Sequence, residues 1–407
     1  MKEFFALPRQ LQMREWMSFV ARILESAIYP FMAMYYVHYF GAFWTGILMM
    51  ATKGVGLITG LYGGHLADVL GRKKVIDWGN AVVALGYLLM VLANIPGHVL
   101  PLLTFVGILM AEAAGTFSWP AIDAMIIDLT DDSNRRFVYT IHYWLINVSV
   151  MLGAGIAGLF YDHYFLGLLV VLFLISLANW YLAWRYFHET KPDQVASQHT
   201  ATIIDTFKSY GQVFKDKVFL TYTAGLMLNA MVWQQIDTFV PVHLKEHFET
   251  VVVAGQSLTA AKMLSTMVFV NTLLIVLLMT TMNRLTRPLR LVPQLWLGGG
   301  TFAAGVLLSM MLQTFWPLIL ATCLYTVGEM IYIPASQVLR ADIMDEDKLG
   351  VYSGFVAMAQ PVAAMLASGM VSVGARAGDG VVYSLFIPAA ILSLVLMTRA
   401  AHKHGIR

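Results

Sequence analysis

Apolar runs of about twenty residues recur along almost the whole of this 407-residue chain. A run of that length is what a helix needs to cross the hydrocarbon core of a bilayer. Hydrophobic residues make up 58% of the sequence and charged residues only 12%, whereas soluble domains usually have about 25% charged residues. Only helices and closed barrels satisfy every backbone polar group in lipid. The sequence therefore predicts an all-α integral membrane protein.

Twelve of these runs are predicted transmembrane helices. They cover residues 16–40, 43–64, 75–96, 99–123, 138–160, 164–187, 218–242, 262–282, 291–312, 316–339, 351–374 and 380–401. The longest polar stretch follows the sixth run and divides the spans six plus six. We therefore predict an N-terminal six-helix bundle at 1–187, a cytoplasmic linker at 188–217 and a C-terminal six-helix bundle at 218–407.

Basic residues are concentrated in every second loop. The loops after spans 2, 4, 8 and 10 contain Arg72, Lys73, Lys74, Arg135, Arg136, Arg284, Arg287, Arg290 and Lys348. Short loops rich in lysine and arginine tend to stay in the cytoplasm. This rule predicts that the even-numbered loops and both termini are cytoplasmic.

A short pattern occurs twice in the chain, each time near the end of an apolar run. It consists of a proline followed by two aspartates, first as Pro120, Asp128 and Asp131 and again, 214 residues later, as Pro334, Asp342 and Asp345. Two similar halves within a membrane protein are typical of secondary transporters, in which parallel halves move around a central site. The repeat therefore favours a transporter.

The loop between spans 2 and 3 carries a recognisable motif. It reads GGHLADVLGRKKV, residues 63–75, and its counterpart between spans 8 and 9 is MNRLTRPLR, residues 282–290. The matching pairs, at an offset of 215 residues, are Asp68 with Asn283, Leu70 with Leu285 and Arg72 with Arg287. Glycine permits the tight turn, and Asp68 could sit near a helix N-terminus and pair with a basic residue. The first loop resembles the motif of the major facilitator superfamily. This resemblance implies twelve helices in two pseudo-symmetric halves around a central cavity.

Within that superfamily the chain resembles the LmrP-type multidrug/proton antiporters of Gram-positive bacteria. The similar segments are YTVGEMIYIP (325–334), AMIIDLTDDSNRR (124–136), YWLINVSVMLGAG (143–155), PVHL (241–244), LLMTTMNRLT (277–286) and NIPGHV (94–99). The resemblance implies export of amphiphilic or cationic drugs by alternating access. It also implies a bacterial cytoplasmic membrane, a proton gradient as the energy source and no cofactor.

The same resemblance implies roles for individual residues. Glu329 would contact cationic drugs, and Asp237 occupies an acidic position of the family. Asp68 and Asp128 match carboxylates near the cytoplasmic side and would act in gating and coupling. His142 stands where the family has an acidic residue. Histidine titrates near pH 6.5 and can relay protons, but it cannot attract a cation.

Ionisable residues also lie inside the predicted spans, where each costs roughly 2.5–3.5 kcal/mol on insertion scales. They are Arg22, Glu25, Lys53, Glu112, Asp123, Asp237 and Glu329. They must be clustered or hydrated. Two compatible interpretations remain open. The basic residues could pair with Glu25, Glu112 and Asp123 in a network that only holds helices together, or the set could line a polar cavity for protons or a charged part of the substrate.

Glu329 is the sharpest candidate because span 10 contains no basic residue. Burial favours its protonated form, so we expect it to bind a proton near neutral pH. Trp119 could line an aromatic surface suited to flat cations. The predicted substrate-binding residues are Glu329, Asp237, Glu25, Arg22, Glu112 and Trp119. The predicted proton-coupling and gating residues are Asp68, Arg72, Asp128, His142, Asp123 and Lys53.

The charges of the N-terminal half leave other functions open. They exceed what the resemblance implies, so a proton-coupled carrier of a specific charged metabolite and a lipid or glycolipid flippase are alternatives, and a channel or sensor is another. No Walker loop, H-E-x-x-H motif or nucleophile elbow occurs. We therefore expect no enzyme activity and no metal site. The expected partners are a small amphiphilic or charged substrate, protons and membrane lipids, with no nucleic acid, and we expect a monomer.

Overall fold

The computed structural model describes residues 4–5, 7–131, 134–190, 216–253, 255–343, 349–403 and 405. These residues are almost entirely helical. The helices are α1 (Arg9–Ile28), α2 (Met32–Leu70), α3 (Arg72–Ala93), α4 (Pro101–Leu129), α5 (Arg135–Tyr186), α6 (Lys217–Gln234), α7 (Phe239–His247), α8 (Ala260–Thr286), α9 (Leu291–Met311), α10 (Phe315–Ile343), α11 (Leu349–Ala377) and α12 (Asp379–Lys403). Between α7 and α8 the short strands β1 (Val251–Val253) and β2 (Gln256–Leu258) pair antiparallel, with Val252 opposite Ser257.

Nine helical stretches of the described residues are long and apolar enough to cross a membrane. Two of them, Arg9–Leu70 and Phe137–Tyr186, are 62 and 50 residues long, and each contains two predicted spans. A 3-10 turn at Tyr29–Phe31 and a non-helical Gly41 interrupt the first stretch, and a non-helical Tyr164 interrupts the second. The prediction of helical membrane spans is therefore confirmed, although several predicted boundaries are not breaks between separate helices.

The predicted seventh span, 218–242, is not one continuous helix. Helix α6 ends at Gln234, a turn follows, and α7 begins at Phe239. Pro241 lies in the first turn of α7, where backbone N–H groups have no partner inside the helix, so the proline removes no hydrogen bond there. The prediction of a single helix over these residues was wrong because the apolar run continues through the turn.

The chain packs as two compact units. The first comprises Met1–Tyr29 and Gly54–Thr206, and the second comprises Pro30–Lys53 and Phe207–Arg407. The prediction assigned the segment Pro30–Lys53 to the N-terminal bundle, whereas here it packs with C-terminal residues. Most of the predicted linker, 188–217, lies outside the described residues.

Close packing explains why Pro30–Lys53 belongs to the second unit. The side chain of Ser372 in α11 donates a hydrogen bond to the carbonyl of Phe43 at 2.7 Å. A Cβ atom on Gly46 would lie 2.6 Å from the carbonyl oxygen of Ser368, so only glycine permits this crossing of α2 and α11. The guanidinium of Arg376 lies 3.9 Å from the centre of the Phe43 ring, at cation–π distance.

The first unit is built on the packing of α3 against α4 and α5, and of α1 against α5. A Cβ atom on Gly86 would lie 2.5 Å from the carbonyl oxygen of Gly107. The backbones of α3 and α4 therefore approach as closely as small residues allow, as is usual between membrane helices. A buried cluster around Val75, Met125 and Phe187 fills the end of the unit where α2 gives way to α3.

The second unit contains four main helix contacts. Helix α9 packs on α10, α10 on α8, and α6 on both α11 and α12. Tyr222, Tyr332 and Leu339 belong to its largest cluster of buried side chains. These contacts place α8 beside the middle of α10. They also hold α6 and the following α7 near the turn between α11 and α12.

Candidate functional site

Glu329 lies on α10 and faces α8 in the second unit. The side-chain amide of Asn271 donates a hydrogen bond to the Glu329 carboxylate at 2.9 Å and contacts the hydroxyl of Thr326 at 3.0 Å. The Thr326 hydroxyl in turn donates to the carbonyl of Thr322 at 2.6 Å, which fixes its position on the helix. Glu329 thus has a neutral amide, not a cation, as its hydrogen-bond donor.

This geometry has an electrostatic consequence. An ionised carboxylate in a low-dielectric surrounding needs compensation by an opposite charge or by several hydrogen bonds. The amide of Asn271 supplies one hydrogen bond but no net charge. A proton or a cationic ligand at Glu329 would provide the missing compensation. The sequence identified Glu329 but not Asn271, since an asparagine among apolar residues gives no sign of its partner.

Asp237 lies in the turn between α6 and α7 of the same unit, and its side chain is exposed. Lys53 of α2 is the charged group that acts on it electrostatically. The preceding Gln235 is fully buried, and its amide nitrogen contacts the sulfur of Met370 at 3.1 Å. The interpretation of the internal charges as a network paired Lys53 with acidic residues of the N-terminal half. The structure assigns Lys53 to the second unit, where it is close to Asp237.

In the first unit, Arg22 and Glu25 lie one turn apart on α1. Arg22 and Glu112 both act electrostatically on Glu25, so the predicted grouping of these three residues is present in the structure. The hydroxyl groups of Tyr29 and Tyr87 are hydrogen-bonded at 3.1 Å beside them. One cation and two carboxylates therefore share a polar patch between helices α1, α3 and α4.

A second charged cluster in the first unit joins α1 to α5. The Arg14 guanidinium contacts the Glu15 carboxylate at 2.6 Å, and the other oxygen of Glu15 lies 2.9 Å from Nδ1 of His142. Arg14 and Glu15 are only 4% and 1% exposed. The charge of Asp123 on α4 also acts on Arg14. The predicted residues His142 and Asp123 thus meet around a buried ion pair that was not predicted from the sequence.

Arg72, Asp68 and Asp128 form a third cluster, where α2 gives way to α3. Nε of Arg72 lies 3.3 Å from Asp128, and another guanidinium nitrogen lies 3.7 Å from Asp68. Asp68 was expected near a helix N-terminus, but it lies in the last turn of α2 and its side chain is 70% exposed. Asp128 is 18% exposed, so it is the closer and more buried partner of Arg72.

The segment after α5 completes this third cluster. The carboxylate of Glu189 accepts hydrogen bonds from the backbone N–H groups of Arg72 at 2.9 Å and Lys73 at 3.2 Å. A carboxylate at that position caps α3 and favours the positive end of its dipole. Thr190 donates a hydrogen bond to Asp128 at 2.9 Å. The capping role expected of Asp68 is therefore filled by Glu189.

We predict unequal effects for the two aspartates that contact Arg72. Asp68→Asn should change the free energy of unfolding by no more than about 0.5 kcal/mol, because exposed i,i+4 pairs contribute about that much. Asp128→Asn removes hydrogen bonding to a charged group that is mostly buried, and should cost about 1.5–3 kcal/mol. Denaturation of both purified variants in micelles would measure the difference. A larger loss for Asp68→Asn would show that this residue has a partner beyond Arg72.

Trp119 was predicted to line an aromatic substrate surface. It lies on α4 directly before Pro120, and its side chain is 49% exposed. Two predicted clusters, Arg22 with Glu25 and Glu112, and Arg72 with Asp68 and Asp128, are thus found together in the first unit. Glu329 and Asp237 lie in the second unit.

Membrane-spanning helices with ionisable groups at their interior positions are typical of membrane transporters. The family model of the Major Facilitator Superfamily matches residues 16–368. The chain therefore belongs to this superfamily and has its all-α, multi-pass fold. The expected family is confirmed.

Two curated relatives show the range of functions among similar sequences. A Na(+), Li(+), K(+)/H(+) antiporter of Planococcus maritimus is 26% identical over 382 residues, which cover 90% of this chain and 89% of the relative. The multidrug resistance protein MdtH of Yersinia enterocolitica is 24% identical over 340 residues, which cover 81% of this chain and 77% of the relative. Both are transporters, and they differ in cargo.

Solved structures agree on the fold. A mutant of the peptide transporter POT, in complex with sulfate, has a TM-score of 0.75 at 15% identity, and the match covers 97% of this chain and 95% of that one. A mutant of the nucleoside transporter NupG has a TM-score of 0.75 at 13% identity, and the match covers 97% of this chain and 99% of that one. At such identities the likeness extends to the fold alone.

Proposed function

We propose that this protein is a proton-coupled antiporter that exports cationic or amphiphilic substrates by alternating access. The observation that carries the proposal is the Glu329 carboxylate, which is held by the neutral amide of Asn271 at 2.9 Å. A proton and a cation can each neutralise this carboxylate, but not both at once. Competition for one negative charge is the simplest form of obligatory exchange.

A buried cluster in the first unit supports proton coupling. With Arg14 positive and both Glu15 and Asp123 negative, the cluster carries a net charge of −1 when His142 is neutral and 0 when it is protonated. His142 contacts Glu15 directly at 2.9 Å, so its proton would be stabilised by a carboxylate. Histidine changes its charge in the physiological pH range. We propose that His142 is a second proton-binding residue of the cycle.

Exchange of a monovalent metal ion for protons is the second candidate. The relative from Planococcus maritimus bears the name Na(+), Li(+), K(+)/H(+) antiporter and covers 90% of this chain. Glu329, Asn271 and Thr326 bring a carboxylate, an amide and a hydroxyl together. Oxygen atoms of these kinds are the ligands that hard cations prefer. An inorganic cation and the head of a drug would then use the same carboxylate.

One experiment separates these proposals. The purified protein is reconstituted in liposomes that enclose a pH-sensitive dye, and a proton gradient is imposed across the membrane. Ethidium, NaCl, KCl or an anionic fluorescent lipid is then added in separate runs. Proton release on addition of ethidium supports drug export, and release only on addition of NaCl or KCl supports metal-ion exchange. Movement of the lipid alone, or a flux that is independent of the gradient, would overturn both proposals.

A further inference from the structure

Two histidines and an aspartate of the second unit meet at a place that the transport proposal does not use. His243 and His247 lie one turn apart on α7, and Asp379 is the first residue of α12. One possible ligand atom from each of these residues lies within 4.8 Å of the other two. This is the one group of three such side chains found among the described residues.

Hydrogen bonds fix the tautomer of both rings so that each keeps a lone pair for a ligand. Nε2 of His243 lies 3.2 Å from the carbonyl of Leu312, and Nδ1 of His247 lies 3.2 Å from the carbonyl of His243. A carbonyl only accepts, so each of these nitrogens must carry the proton. Nδ1 of His243 and Nε2 of His247 are then unprotonated. Metal-binding histidines are typically oriented in this way by a carbonyl behind the ring.

The buried nitrogen of His243 needs a partner that the described residues do not supply. His243 is 3% exposed, and its Nδ1 has no hydrogen-bond partner among them. The nearest carboxylate oxygen, from Asp379, is 3.8 Å away, too far for a hydrogen bond. Two ligand atoms on a tetrahedral zinc ion at about 2.0–2.2 Å lie roughly 3.3–3.6 Å apart. The observed separation therefore needs to close by only a few tenths of an ångström to hold an ion.

The surroundings leave room for an ion and for a further ligand. The three side chains line a cavity of about 560 Å³, which Glu246 also lines. Gly378, with φ of +87°, makes the turn that brings Asp379 back towards α7. A Cβ atom on Gly374 would lie 3.3 Å from the Asp379 carboxylate, so the glycine keeps this carboxylate free to turn. The fourth position of a tetrahedral site would be open to the cavity, for water or Glu246.

We propose that His243, His247 and Asp379 bind a divalent transition-metal ion of the zinc type. Two imidazole nitrogens and one carboxylate form a donor set that favours such ions over the alkali metals, magnesium and calcium. No metal site was expected from the sequence. The spacing of two histidines four residues apart on a helix was the signal that had been passed over. The site is independent of Glu329 and of the transported substrate.

Isothermal titration of the metal-free protein tests this proposal. The affinity tag is removed, the protein is kept in detergent micelles, and ZnCl₂ is titrated. We expect one zinc ion per chain in the wild type. His247→Ala and Asp379→Asn should each weaken binding by at least the 10–100-fold that loss of a supporting residue costs at metal sites. The control is His163→Ala, which removes an exposed histidine of the first unit and should bind zinc as the wild type does.

Thermal unfolding of the same proteins supplies a second measurement. Zinc should raise the unfolding midpoint of the wild type and of His163→Ala, because an ion that binds only the folded state stabilises it. It should not raise the midpoint of His247→Ala, whose ring is exposed and whose loss should leave the fold intact. Absence of saturable zinc binding in the wild type, or equal binding by wild type and both site variants, would overturn the proposal. Neither outcome depends on whether the protein exports drugs.

Discussion

Glu329→Gln is expected to reduce proton-driven export of a cationic substrate to the level of liposomes without protein. The amide of glutamine can keep a hydrogen bond to Asn271 and fills the same space, so the fold should be retained. It carries no negative charge, so neither a proton nor a cation gains electrostatically by binding there. Ethidium-driven proton release in proteoliposomes would measure the loss. Thermal unfolding in micelles would confirm that the variant is folded.

Matched variants separate the charge of Glu329 from its surroundings. Glu329→Asp keeps the charge but shortens the side chain, and should retain part of the activity. Asn271→Ala removes the hydrogen bond and leaves the carboxylate, so its effect should fall mainly on the pH at which transport is half-maximal. Glu249→Gln, at an exposed position after α7, should leave transport unchanged. Wild-type activity in Glu329→Gln would remove this carboxylate from the mechanism.

The membrane spans were predictable because the bilayer imposes a length on each apolar run. The failures have a physical pattern. The run 218–242 is apolar throughout, but Gln235 to Thr238 form a turn that hydrophobicity alone cannot reveal. The segment Pro30–Lys53 packs with the second unit through Ser372 and a glycine contact at Gly46. Such contacts join residues more than 300 positions apart and leave no trace in a local pattern.

The candidate residues were easier to find than their partners. A charged residue in an apolar run stands out because its insertion is costly. Glu25, Glu112 and Glu329 were found in this way. Asn271 was missed because an amide carries no charge, and Glu189 because it lies in a polar segment where carboxylates are common. His243 and His247 were passed over because two histidines gain significance only when Asp379, from a distant helix, is placed beside them.

Arg14 and Glu15 show most clearly how a sequence pattern can mislead. They lie near the N-terminal end of the first span, where charged side chains usually face water. In the structure both are nearly fully buried, and each contacts a group from another helix or from its neighbour. Burial makes the pair strongly interdependent. Removing one partner of a buried ion pair is far more costly than removing both, because a single buried charge is left uncompensated.

This interdependence leads to the largest stability effect that we predict. Glu15→Ala should lower the free energy of unfolding by about 3–5 kcal/mol, since it leaves the Arg14 guanidinium buried without its closest carboxylate. Replacing both residues, as Arg14→Met with Glu15→Ala, should recover much of that loss, because a buried pair exchanged for apolar groups is often close to neutral. Denaturation of the purified proteins in mixed micelles measures all three free energies.

The comparison also tests the role proposed for His142. If the Arg14–Glu15 pair serves only to hold α1 against α5, the double variant should regain both stability and proton-coupled transport. If the pair also holds the proton of His142 through the 2.9 Å contact with Glu15, the double variant should regain stability but lose the dependence of transport on pH. A control at the exposed Glu249, changed to alanine, should alter neither quantity. A double variant no more stable than Glu15→Ala alone would show that Arg14 is compensated elsewhere, with Asp123 as the first residue to examine.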